Sequence, residues 1–266
     1  MIVLGFMQYN LEHVMERKAW TRNELILAIN LYCKTQFGRI HQHNPKIIEL
    51  AKLLGRTPGA VAWKMCNFAC IDPSLDRKGA SHVSKLDSQI WNEFFNNWED
   101  LAFESEKLLA KLENKDVETL AKEDGAIDFP EGKDSARTVK TRVNQSFFRR
   151  MILASYDFKC CITEIAIPEL LLASHIIPWS KDKTNRLNPR NGLCLNALHD
   201  RAFDAGLITI SDSFTIIVSD LVKQRKSSDH EIAFLTKFDG KSIILPRKFQ
   251  PDANFLAYHR ENIFKQ

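Results

Sequence analysis

Apolar positions in the first third of the chain recur at helical spacing. In WTRNELILAINLYCK, residues 20 to 34, Leu25, Ile26, Ile29 and Cys33 form one stripe behind Thr21 or Asn23, either of which suits an N-cap. Asn44 then caps a second helix, with Pro45 at its first position and a stripe of Ile48, Ala51 and Leu54 that stops at Gly55. Thr57 and Pro58 open a third helix carrying Val61, Met65 and Phe68. This reading places Trp20, Phe37, Trp63 and Phe68 in the core. From Asp87 to Leu112 the positions Ile90, Trp91, Phe94, Phe95, Trp98, Leu101, Leu108 and Leu109 keep a helical period long enough to predict one connecting helix. Residues 114 to 136 are acidic and interrupted by Gly and Pro, the composition of a linker. A basic helix, TVKTRVNQSFFRRMILASY, leads into another pattern: an extended run Glu169 to Ile177, the turn chemistry LNPRNG, a short strand Leu193 to Leu195, and a helix from Asn196 through Ala205 stopped by Gly206. The order is strand, loop, strand, helix.

A chain of 266 residues with 44% hydrophobic content can bury one large core or two modest ones. No uncharged apolar run approaches the ~18 residues of a membrane span. The N-terminus MIVLGFMQYNLEHVMERK lacks the basic-then-apolar order of a signal peptide, so a cytoplasmic location is expected. Six cysteines occur without CxxC pairing, which predicts free thiols and no structural zinc. The net charge of +4 divides into +6 for residues 1–85, −9 for 86–135 and +7 for 136–266. Two basic blocks around an acidic spacer suit a polyanionic partner, although clustered surface charge can equally serve solubility alone.

The small residue Ala51, the corner at Gly55 and the apolar Val61 together resemble the helix-turn-helix motif. That resemblance implies a second helix in the major groove of double-stranded DNA, with Thr57, Gly59, Ala60, Lys64 and Asn67 pointing outward and Arg56 near phosphate. The competing reading is a helical hairpin inside a core.

In the C-terminal block, His175 in SHIIP, Asn191 in NPRNGLCL and His199 in LHDRAFDAGLI lie 16 and 8 positions apart, on strand, loop and helix. Residues 142 to 266 resemble the HNH endonucleases, of the subgroup fused to restriction-type enzymes, whose ββα-metal module is built in this order. The resemblance implies that His175 is the general base toward water, that Asn191 holds the loop, and that His199 ligates one divalent ion, Mg²⁺ in the first instance or Mn²⁺. It also puts a metal ligand directly before the base, where this chain has Ser174, a weak ligand for a hard cation; Asp200, Asp204 or Asp182 are the residues able to complete the shell. Arg149 and Arg150 before the module, and Arg186 and Arg190 in its loop, are candidate phosphate contacts.

The expectation is therefore an α+β protein. It has a helix-turn-helix or winged-helix recognition domain at 1–85, a linking helix and acidic linker at 86–136, and an HNH nuclease domain at 137–266. Its activity would be metal-dependent restriction of foreign, base-modified or unmodified DNA by a homodimer. The rivals are a DNA-binding regulator with a decayed nuclease module and a nonspecific nuclease toxin.

Overall fold

The computed structural model describes residues 18–75, 83–123, 136–225 and 229–266; the stretch 124–135 of the expected acidic linker lies outside them. Helix α1 spans Arg22–Lys34 and starts in a capping box, with Thr21 and Glu24 satisfying each other's backbone amides, which settles the cap on Thr21. Helix α2, Pro45–Leu54, begins where the Asn44 side chain accepts from the Lys46 amide at 2.9 Å. It ends at Gly55, whose φ of 60° lies in the left-handed region that glycine enters without a Cβ clash. Helix α3, Pro58–Ile71, follows behind the Thr57 cap. Leu25, Ile29, Ile47, Val61, Met65 and Phe68 close the core of these three helices.

The rotation of α3 differs from expectation. Trp63, expected in the core, is 54% exposed, whereas Lys64 and Asn67, expected outside, are buried. The cause is a partner distant in sequence: both carboxylate oxygens of Asp87, itself fully buried, accept from Lys64 Nζ at 2.8 and 2.9 Å.

The predicted single helix over 87–112 is two, α4 (Lys85–Asn96) and α5 (Trp98–Leu112). The break falls at Asn97, at φ −145° and ψ 59°, and it lets Phe94 and Trp98 meet edge to face with centroids 5.2 Å apart. Helix α6, Val117–Glu123, forms inside the predicted linker because Leu120 and Ala121 find a buried surface. Its Ala121 carbonyl accepts from Ser146 Oγ at 2.9 Å.

Ser146 belongs to α7, Ala136–Ser155, which packs on α1, α5 and α6 along one side and on the nuclease-like hairpin along the other. That hairpin pairs β1 (Leu171–His175) antiparallel to β2 (Gly192–Asn196), and α8 (Ala197–Asp204) follows directly. The strand begins later than Glu169 because Pro168–Leu170 forms a 3-10 turn. A second hairpin, β3 (Ile208–Ile210) with β4 (Ile216–Val218), continues the chain, followed by α9 (Asp220–Lys223), α10 (Asp229–Thr236) and α11 (Ala253–Asn262). His259 on α11 braces α8 through contacts with the Phe203 carbonyl at 3.1 Å and Thr209 Oγ1 at 2.8 Å.

Helical body and hairpin are stitched together by Lys248. Its fully buried ammonium donates to the carbonyls of Tyr32, Cys33 and Thr35 at the end of α1, where orphan carbonyls and the helix dipole favour a cation. The fold is α+β, helix-rich with two small two-stranded sheets among the described residues. None of the described helices is long and apolar enough to cross a membrane.

Candidate active site

Strand alternation separates neighbours. Ser174 and His175 stand opposite Leu193 and Gly192, so their side chains leave on opposite faces of the hairpin. The His175 face meets α7, where the imidazole stacks on Phe148 with centroids 4.0 Å apart and 10° between planes. Gly192 is what permits this approach. A Cβ there would lie 2.4 Å from Ile152 Cδ1 and 2.9 Å from Phe148 Cζ.

His175 Nε2 lies 2.9 Å from the Arg186 carbonyl. A carbonyl only accepts, so Nε2 carries the proton and Nδ1 keeps its lone pair. Burial pushes the imidazole below its ordinary pKa; the Arg186 carbonyl opposes that shift, and the Arg186 charge adds to it. The result is a neutral ring with one basic nitrogen.

Asn191 fixes the exit of β1. Its Oδ1 accepts from the Ile177 amide at 2.7 Å, and its Nδ2 donates to the carbonyls of Ile177 and Asn185, both at 3.2 Å. These bonds replace strand pairing at the Pro178–Trp179 corner.

On the other face, β1 meets α8. Ser174 is buried, and the group its hydroxyl meets is the Asp200 carboxyl. Burial raises the Asp200 pKa and the Ser174 hydroxyl pulls it back. Asp204, one turn on, is raised by burial and by the Asp200 charge. The helix residue beside Ser174 is thus Asp200, with Asp204 one turn further along α8.

His199 lies elsewhere on the helix. The cap residue Asn196 accepts from the Leu198 and His199 amides at 3.1 and 3.0 Å, and its Oδ1 also takes His199 Nδ1–H at 3.0 Å. Nε2 is then the bare nitrogen, buried without a hydrogen bond, while the ring meets Phe238 edge-on at 5.3 Å. Burial lowers its pKa and the nearby Lys237 charge lowers it further, against a backbone group of Phe234.

The Asp200 and Asp204 carboxyls and the Ser174 hydroxyl are all hard oxygen donors. That set fits Mg²⁺ or Mn²⁺, which bind through one or two carboxylates and fill the remaining positions with water and phosphate oxygens. Among the described residues no group of three or more His, Cys, Asp and Glu is arranged as a complete metal cage.

The expected DNA-contact residues are mostly engaged inside the fold. Arg56 grips Glu24 at 2.9 and 3.0 Å and stacks on Trp20. Thr57 caps α3, Lys64 holds Asp87, and Asn67 is buried. Arg149 donates to the Leu171 carbonyl at 2.6 Å, and Arg190 pairs with Asp252 at 3.0 Å. Arg150 lies over Phe158, 5.3 Å from the ring centroid. Phe148 and Trp179, which wall the His175 ring, carry no signal in the sequence beyond being aromatic.

The site is thus an antiparallel hairpin running into a helix, with a basic imidazole nitrogen at the strand end and carboxyls on the helix. The comparison with known families agrees: residues 160–211, from Cys160 through β3, match the model of the HNH endonucleases. A search of curated proteins gives no match. The C-terminal half therefore carries an HNH domain, which points to a nuclease acting on nucleic acid.

Proposed function

We propose that the protein is a divalent-metal-dependent endonuclease that cuts double-stranded DNA in the restriction of foreign DNA. The observation that carries this reading is the tautomer of His175: Nε2–H is held by the Arg186 carbonyl, which leaves Nδ1 as the basic nitrogen at the end of β1, one residue after Ser174, whose hydroxyl meets the Asp200 carboxyl on the other face of the hairpin. In the proposed reaction Nδ1 takes a proton from the attacking water as its oxygen bonds to phosphorus; the bond from phosphorus to the 3′ oxygen breaks, and that oxygen is protonated from solvent. Asn191 keeps the base in place by holding Ile177 and Asn185.

Asp200 and Asp204, with Ser174, would hold the metal, and the bound ion supplies Lewis-acid compensation of charge on the phosphate. Asp200 is favoured because it is the residue that meets Ser174; His199 keeps a bare Nε2 with its Nδ1–H held by Asn196 Oδ1, as a metal-ligating imidazole does, and is the alternative ligand. The α1–α3 block is proposed to select the DNA. Exposed Trp63 and the Thr57 end of α3 are its accessible positions, in place of Lys64 and Asn67. A homodimer supplies the two centres that cutting both strands requires. Ile165, Ile167, Leu170, Leu198, Ile244 and Leu245, all 36–50% exposed, support such pairing near the hairpin.

The test is digestion of methylated and unmethylated plasmid DNA in Mg²⁺, Mn²⁺, Ca²⁺ or Zn²⁺, with sequencing of the ends. Cleavage that EDTA stops and that leaves defined ends is expected. Binding without nicking in every ion would favour a DNA-binding regulator, and ends without sequence preference would favour a nonspecific nuclease.

A further inference from the structure

Arg186 touches the base from two sides. Its carbonyl is the acceptor that orients His175 Nε2 at 2.9 Å. Its side chain folds over the same loop, where Nε donates to the Trp179 carbonyl at 2.8 Å and the guanidinium carbon lies 5.0 Å from the Trp179 ring centroid. Trp179 in turn meets the His175 ring edge-on, with centroids 5.5 Å apart at 84°. The guanidinium is close enough to His175 for its charge to bear on the ring.

The two terminal nitrogens of this guanidinium donate to nothing among the described residues; the Asp182 carboxylate is near enough to feel its charge but is engaged by the Thr184 and Asn185 amides and the Asn185 side chain. Arg56, Arg149 and Arg190 differ in that each spends terminal donors inside the fold. The loop that carries Arg186 is also stiff. Asp182 accepts from the Thr184 and Asn185 amides at 2.9 and 3.1 Å, Asn191 holds the Asn185 carbonyl, and Leu187 is buried. A planar, preorganised fork with unspent terminal donors, stacked on the same Trp179 that meets the base, matches the oxygens of a phosphodiester better than any neutral group.

We infer that the Arg186 guanidinium binds a non-bridging oxygen of the scissile phosphodiester, so that one residue orients the base through its carbonyl and the target through its side chain. This rests on the nuclease reading above. As water adds to phosphorus, negative charge grows on the non-bridging oxygens, and a donor already stacked on Trp179 meets it without reorganising. A contact to the backbone carries no base information, so it serves every target sequence alike.

Arg186→Ala removes the fork and keeps the carbonyl that orients His175. On supercoiled plasmid, in the ion that supports wild-type nicking, the variant is expected to cut about 100-fold more slowly. DNA binding by fluorescence anisotropy in EDTA should stay within about threefold of wild type. Millimolar guanidinium, but not urea, should restore part of the rate, a rescue that a purely structural role would not produce. Arg186→Lys keeps the stem on Trp179 and a charge without the fork, and it should fall between the two; it replaces the alanine variant if that variant does not fold. Nicking by Arg186→Ala within about threefold of wild type overturns the inference, as does a defect that guanidinium leaves untouched while Arg186→Lys is equally slow. Wild-type protein that nicks no DNA in any ion sinks the nuclease reading itself, a separate result.

Discussion

Helices α3 and α8 treat charge in opposite ways. On α3, Lys64 turns inward and meets Asp87 at 2.8 Å, so that both ions are neutralised where water is absent. On α8, Asp200 and Asp204 make no salt bridge among the described residues and are raised in pKa by burial, with the Ser174 hydroxyl at Asp200 pulling the first of them back. The first arrangement is complete as it stands and holds helices together. The second leaves two carboxyls without a salt bridge among the described residues, where the proposed metal would sit. Paired charge marks architecture on α3, and carboxyls without a salt bridge mark the proposed site on α8.

The largest effect that would sharpen this contrast lies on α8. Replacing both Asp200 and Asp204 by Asn should weaken Mn²⁺ binding, read by titration calorimetry, by about 100-fold, since each lost ligand is a tenfold step of about 1.4 kcal/mol. His199→Gln should change it by less than about threefold, or about 0.7 kcal/mol. The reverse ranking would return the metal to His199. The same double variant should melt at a higher temperature without metal, because two crowded carboxyls no longer need to ionise.

Next in size is the α3 pair. Asp87→Ala leaves Lys64 buried without its anion and should cost about 3–5 kcal/mol of stability by urea unfolding. A loss below about 1 kcal/mol would mean that the lysine escapes to solvent and that the pair is a surface contact.

A smaller effect is set by pH. Burial would raise the Glu24 carboxyl, but Arg56 and the Thr21 amide and hydroxyl hold it down at about 2, against 4.5 when unperturbed. A folded pKa below the unfolded one gives stability that is complete above about pH 4.5 and is lost as pH falls toward 2. The shift corresponds to about 3 kcal/mol. Acid titration of wild type and Glu24→Gln should show this dependence only in the former; identical curves would place the acid sensitivity elsewhere.

Much of this architecture is legible in the sequence. Asn44, Pro45, Gly55 and Thr57 announce the α2–α3 corner because caps and left-handed glycines act locally. Asn191 and Gly192 likewise mark the turn before β2. What local pattern does not fix is rotation about a helix axis. Neighbouring positions differ by about 100°, so exchanging Trp63 for Lys64, or His199 for Asp200, turns the inferred functional face away from its partner. The partners that decide, Asp87 for Lys64 and Ser174 for Asp200, lie 23 and 26 positions away in the chain and meet them only after packing. The break at Asn97 was hidden for a similar reason. The apolar period runs through it, and only the edge-to-face meeting of Phe94 with Trp98 reveals the bend.

The most direct test of the account is plasmid nicking by His175→Ala beside wild type, with Mg²⁺ or Mn²⁺ and matched DNA binding. The account predicts that wild type nicks and that the variant loses at least about 1000-fold in rate with unchanged affinity for DNA. A variant that still cuts at a comparable rate would contradict it, since His175 is the imidazole that the account makes the base at the end of β1.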